Sequence, residues 1–146
     1  MTPLLDRIRD PRDLRTLAID NLAPLAEEIR RRIIDVVSVT GGHMGSNLGT
    51  VELTIALHYC FDFLESGLVW DVSHQCYTHK ILTGRNERFP TIRQKDGLTG
   101  FANKFESPYD YFTAGHAGTA LGTGLGMAAA RQLSGNPEPT VAVVGD

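Results

Sequence analysis

A chain of 146 residues suits one domain able to bury roughly two thirds of its unfolded surface. Its 42% hydrophobic and 21% charged residues exclude a disordered or collagen-like chain. A formal net charge of −3 leaves no electrostatic footprint for nucleic acid or an anionic membrane, and no stretch approaches the ~20 apolar residues of a membrane span.

The opening, Met-Thr-Pro-Leu-Leu-Asp-Arg, has neither the apolar run of a secretion signal nor the acid-free composition of a transit peptide. Through about Thr16 the chain is polar, with Pro3 and Pro11, and reads as a short arm with one helical turn near Pro11–Leu17. Asp20 or Asn21 then caps a helix in which Leu22, Leu25, Ile29, Ile33 and Val36/Val37 recur at helical spacing, and Gly41-Gly42 ends it. Its basic run, Arg30-Arg31-Arg32, falls on the solvated face. A loop over His43–Asn47 leads to a second apolar helix from about Gly49 to Tyr59.

Leu68-Val69-Trp70-Asp71-Val72 reads as a short strand, with Ser73-His74-Gln75 at its carboxyl end. A helical turn or two carries His79 through Leu82. The polar stretch Arg85–Tyr111 reads as loop with at most short elements, a length that is usually functional or mobile in a compact domain. Tyr111-Phe112-Thr113 is a candidate brief strand, and a small-residue helix is expected from Ala117 to about Leu133. Ser134-Gly135-Asn136-Pro137 breaks that helix before a final strand over Thr140-Val141-Ala142-Val143-Val144. Strands separated by helices predict an α/β layer with parallel pairing. Cys60 and Cys76 form no Cys-x-x-Cys and read as reduced thiols, in keeping with a soluble cytoplasmic protein.

Four places can carry chemistry. Gly41-Gly42-His43-Met44-Gly45-Ser46-Asn47-Leu48-Gly49 surrounds one histidine with glycines, so backbone can approach a ligand beside an imidazole that titrates near neutrality. His74 stands at a strand's carboxyl end, where ligands of open α/β sheets gather. A plain helix–helix turn around His43 and a structural imidazole at His74 fit the same residues. Ala114-Gly115-His116-Ala117-Gly118-Thr119 heads a helix whose free N–H groups would seat a diphosphate. Gly145-Asp146 ends the last strand on a carboxylate suited to a magnesium ion shared with phosphate oxygens. His58 and His79 lie within apolar helical patterns and read as structural. Gly122-Thr123-Gly124-Leu125-Gly126 has the wrong spacing for a dinucleotide fingerprint and reads as close helix packing. With no helix after Asp146 to cover the sheet, the chain reads as the front part of a larger active site.

In order, these segments resemble the N-terminal part of the 1-deoxy-D-xylulose-5-phosphate synthase family, within the transketolase superfamily. The resemblance runs from Leu4-Leu5-Asp6 to Asp146. It is strongest at Thr40-Gly41-Gly42-His43 through Gly49, Val51-Glu52-Leu53-Thr54 with Ala56-Leu57-His58-Tyr59, Trp70-Asp71-Val72 with His74-Gln75, and His79-Lys80-Ile81-Leu82-Thr83-Gly84-Arg85. Ile92-Arg93-Gln94-Lys95, Gly115-His116 and Val144-Gly145-Asp146 extend it. The resemblance implies the N-terminal part of a thiamine-diphosphate-binding fold, with a mostly parallel sheet flanked by helices, truncated after a central strand. It implies thiamine diphosphate and Mg2+ as cofactors, and pyruvate and D-glyceraldehyde 3-phosphate as substrates. It implies a homodimer when complete, with the remainder of the enzyme in cis or as a second chain. By the same resemblance His43 is catalytic, in proton transfer and acceptor contact. His74, Gly115, His116 and Ala117 contact the cofactor, and Asp146 is the first magnesium ligand. Alone, the chain is expected to be inactive.

Three departures stand out. Ser73 replaces the usual Gly, Thr78 the usual Pro, and Ala117-Gly118 a common Ser-Ser. Adjusted rather than abolished cofactor binding is expected. Two other readings remain open at this point: a split transketolase-type subunit, and a non-catalytic remnant that binds a partner through its unfinished sheet edge.

Overall fold

The computed structural model describes residues 2–145. Helix α1 (Pro11–Leu14) is capped by Asp10, whose side chain accepts from the Arg12 amide while Asp13 answers in a capping box. Around it the chain is no arm. Leu5, Ile8, Leu14 and Leu17 are buried in the main core, because a few well-placed apolar residues suffice to dock a segment that lacks periodicity. Helix α2 (Leu22–Thr40) follows a 3-10 turn at Ile19–Asn21, and Asn21 occupies its cap without a side-chain hydrogen bond. It buries Leu25, Ala26, Ile29, Ile33, Val36 and Val37, and full burial of each large aliphatic side chain is worth about 1.5–3 kcal/mol. Arg30 on its outer face pairs with Glu27 and Glu52.

Gly41 ends α2 at φ +74°, and Gly42 follows at φ +147°. The expected loop at residues 43–47 is instead the short helix α3 (Met44–Leu48), and α4 spans Val51–Cys60. Strand β1 (Gly67–Trp70) pairs in parallel with β2 (Thr140–Val143), Gly67 opposite Thr140 and Trp70 opposite Val143. Between them lie α5 (Tyr77–Lys80), a wide turn at Ile81–Arg85 broken by Gly84 at φ +83°, and α6 (Thr119–Leu133). The architecture is α/β with a small parallel sheet flanked by helices. Tyr111-Phe112-Thr113 forms no strand. Gly124 of α6 packs close to the sheet, where an added Cβ would lie 3.5 Å from the Ala142 Cβ. Gly122 and Gly126 face open space, so close packing accounts for only one of the three glycines. No helix among the described residues is long and apolar enough to cross a membrane.

Residues 86–111 hold one short 3-10 turn, Phe89–Thr91, yet they are well anchored. Phe89, Ile92 and Leu98 join the main core, and Tyr109 joins Phe63, Leu68, Trp70 and Cys76 in a second one. Burial raises the Cys76 thiol to about 12, so it is an inert packing residue, and both cysteines are free.

Polar bonds complete the anchorage. Arg85 grips both oxygens of Asp110 at 2.7 and 2.9 Å, and Lys80 meets Glu106 at 2.5 Å. His79 Nε2 lies 2.7 Å from Asp110 Oδ1, and His58 Nε2 lies 2.9 Å from His79 Nδ1. An ionised Asp110 only accepts, so His79 donates from Nε2; with both imidazoles neutral, its bare Nδ1 accepts from the His58 Nε2–H. Burial holds both below the ordinary histidine value, the neighbouring ring adding to the effect at His58 while Asp110 opposes it at His79. The structural role expected for this pair is what the packing shows.

The unfolded chain takes up protons on these histidines as pH falls through about 6.5, whereas the folded chain resists doing so. Their contribution to stability is thus present above that pH and is lost below it. Urea midpoints are expected to be lower at pH 5 than at pH 7.5, and equal midpoints would contradict the neutral pair.

Candidate functional site

The turn after α2 and the end of β1 converge. Only glycine fits at position 42, because a Cβ there would lie 2.7 Å from the buried Tyr77 hydroxyl and φ is +147°. The chain therefore turns sharply and presents His43. From the other side, β1 runs into Asp71, Val72 at φ +54° and Ser73 at φ +68°, and these two left-handed residues swing His74 inward. The rings of His43 and His74 meet edge to face, 5.2 Å between centroids at 74°, with the Phe101 ring 6.3 Å from His43. Partial burial, the His74 ring and the Arg93 charge together lower the His43 pKa, so its imidazole is neutral at pH 7.

The departure at Ser73 has a physical meaning. A left-handed φ favours glycine, so serine there carries strain on the order of 1–3 kcal/mol. Its hydroxyl, fully buried, accepts from the Ala102 amide at 2.9 Å and ties the loop bearing Phe101 to the end of β1. Ser73→Ala keeps the strain and strips that buried amide of its partner. We expect a loss of about 1–3 kcal/mol in urea denaturation; a loss below about 0.5 kcal/mol, the scale of a neutral surface change, would contradict this role. Thr78 sits in the first turn of α5, where a proline is tolerated, and its buried hydroxyl has no partner among the described residues.

The head of α6 differs from the sequence expectation. Its first amides are not free. Asp71 accepts from the Gly118 amide at 2.9 Å and the Ala120 amide at 3.0 Å, and these bonds lower its pKa. A carboxylate supplied by β1 thus fills the anion seat and offsets the helix dipole. Gly118, in place of the common Ser, adopts φ +79°, which glycine tolerates freely. The same two bonds fix the head of α6 to the end of β1. Gly115, His116 and Ala117 are exposed, and a Cβ added at Gly115 would meet no atom within 4 Å. Gly115 and His116 line an open hollow of about 280 Å³ with Phe112 and Thr119.

The structure therefore brings His43 and His74 into contact and ties Gly118 and Ala120, at the head of α6, to Asp71 at the end of β1. Asp146 lies outside the described residues. Among those described, no group of three or more His, Cys, Asp or Glu side chains gathers to hold a metal. The sequence did not single out Asn47, Asp71 or Ser73 as parts of this frame. Asn47 left one trace, an amide in the turn next to His43.

His74 Nδ1 is buried without a hydrogen-bond partner among the described residues. The half-buried His74 ring and the exposed, neutral His43 imidazole beside it fit a polar heterocycle. Their donor set does not itself fit a divalent cation. A family model described as 1-deoxy-D-xylulose-5-phosphate synthase matches residues 5–146.

Proposed function

The chain belongs to the 1-deoxy-D-xylulose-5-phosphate synthase family, and from that premise we propose that it supplies the His43–His74 part of a thiamine-diphosphate site. The reaction joins pyruvate to D-glyceraldehyde 3-phosphate. Pyruvate loses its carboxylate as carbon dioxide, the two-carbon remainder bonds to the aldehyde carbon, and the aldehyde oxygen takes up a proton. The product is 1-deoxy-D-xylulose 5-phosphate. When bound, thiamine diphosphate stores the electron pair left by decarboxylation.

The chain's own residues position groups and move protons. His43 is neutral and open to solvent, so one ring nitrogen accepts a proton while the other donates one. His74 offers its half-buried ring as a contact for the cofactor. Because Asp71 occupies the Gly118 and Ala120 amides, contacts to the diphosphate come from Gly115, His116 and Ala117 rather than from the first turn of α6. Asp146 as a magnesium ligand, and a homodimer for the complete enzyme, belong to the same reading. So does the inactivity of residues 1–146 taken alone.

The observation that carries this reading is the edge-to-face contact of His43 with His74. Pyruvate labelled at its carboxyl carbon tests it in the complete enzyme. Label is released as carbon dioxide in step with consumption of D-glyceraldehyde 3-phosphate. Turnover of a ketose phosphate with no release from pyruvate would overturn it in favour of a transketolase-type reaction.

A further inference from the structure

Asn47 sits on α3 with its side chain fully buried, and every bond it makes is to backbone. Its Nδ2 donates to the His43 carbonyl at 2.6 Å and to the His74 carbonyl at 2.7 Å. Its Oδ1 accepts from the Tyr77 amide at 2.8 Å. Two carbonyls on one side and an N–H on the other leave no freedom in the amide's orientation. One side chain therefore bridges the two segments that bear the paired histidines, and fixes the start of α5 as well.

No other buried side chain among the described residues bonds to the backbone of both histidines. Thr50 makes the comparable but offset link, donating to the Gln75 carbonyl at 3.0 Å one residue beyond His74. We propose that Asn47 is a positioning residue that holds His43 and His74 edge to face, so that the two imidazoles act on one bound molecule. This rests on the reading of that pair as the reacting site. The amide is needed for its three bonds rather than its volume: an apolar replacement leaves two carbonyls and an amide buried without partners, and the two histidine segments lose their common anchor.

The test is NMR of the protein labelled at histidine, run on Asn47→Ala and on Thr50→Val. In the unmutated protein the His43 and His74 ring protons give a direct cross-relaxation peak. Asn47→Ala, folded at low temperature, loses that peak, and the His43 titration midpoint moves up toward the ordinary histidine value as the neighbouring ring withdraws. Thr50→Val loses stability but keeps both signals. A folded Asn47→Ala that retains the peak and the midpoint overturns the inference. Where Asn47→Ala does not fold, the unmutated protein decides: its Asn47 side-chain amide protons exchange with solvent as slowly as core backbone amides, and fast exchange overturns the inference.

In the complete enzyme, Asn47→Ala lowers kcat by about 10²-fold, the scale of a misplacement on the order of 1 Å, whereas Thr50→Val stays within about twofold. Loss of the ring–ring peak with unchanged kcat supports the positioning and contradicts the function proposed for the pair.

Discussion

Asp110→Ala is expected to destabilise the protein by about 3–5 kcal/mol, the scale of removing one partner from a buried ion pair. Arg85 is 3% exposed and relies on both Asp110 oxygens, while the Asn103 amide and His79 Nε2 bond to the same carboxylate. Burial alone would push Asp110 upward, but the bonds from His79 and Arg85 override it and hold it far below the usual carboxylate range. Deleting the carboxylate leaves one guanidinium, one imidazole N–H and one backbone N–H facing a cavity. Among the described residues only Glu106 at 3.4 Å and the Thr83 hydroxyl at 2.7 Å remain for Arg85. For a domain of about this size each kcal/mol moves the melting temperature by about 2–4 °C, so a loss of roughly 6–20 °C should be seen by calorimetry. A shift of less than about 3 °C would show that the loop over residues 97–111 is held without the Asp110 carboxylate.

The second large effect concerns chemistry rather than folding. In the complete enzyme, His43→Ala is expected to lower kcat by about 10²–10⁴-fold, the range for losing a positioned proton-transfer group. Thiamine diphosphate affinity should change little, because His74 and residues 115–117 remain. Stability should also hold, since His43 is exposed and its side chain makes no hydrogen bond among the described residues. A variant that keeps more than about a tenth of the rate would remove His43 from proton transfer.

Much of the scaffold could be read from the chain. Leu25, Ile29 and Ile33 mark α2 by their spacing, Gly41-Gly42 its end, and the apolar runs around Val69 and Val141 the two parallel strands. Those signals are local and periodic, so sequence alone exposes them. The burial of Leu5, Ile8 and Leu17 could not be read this way, because isolated apolar residues reveal their destination only when a groove is present to receive them. Helix α3 was hidden for another reason: Gly45, Ser46 and Asn47 are weak helix formers, and tertiary bonds hold the turn.

The site followed the same division. His43 and His74 stood out through their glycine-rich and strand-end settings. Their frame did not, since Asp71 caps a helix that begins nearly fifty residues later in the chain and Asn47 bridges segments that are distant in sequence. The head of α6 shows the same limit: the Gly118 and Ala120 amides, expected to be free, serve the protein's own carboxylate. Ser73 shows a further limit, because a departure from glycine carries strain and a compensating bond that only three dimensions reveal.

Calorimetric titration of the complete enzyme with thiamine diphosphate and magnesium, wild type against His74→Ala, bears most directly on the proposed site. Losing one hydrogen-bonding contact from the His74 ring should weaken binding by about tenfold, with His43→Ala close to wild type. Equal affinity in the wild type and His74→Ala would mean that the paired histidines face something other than the cofactor.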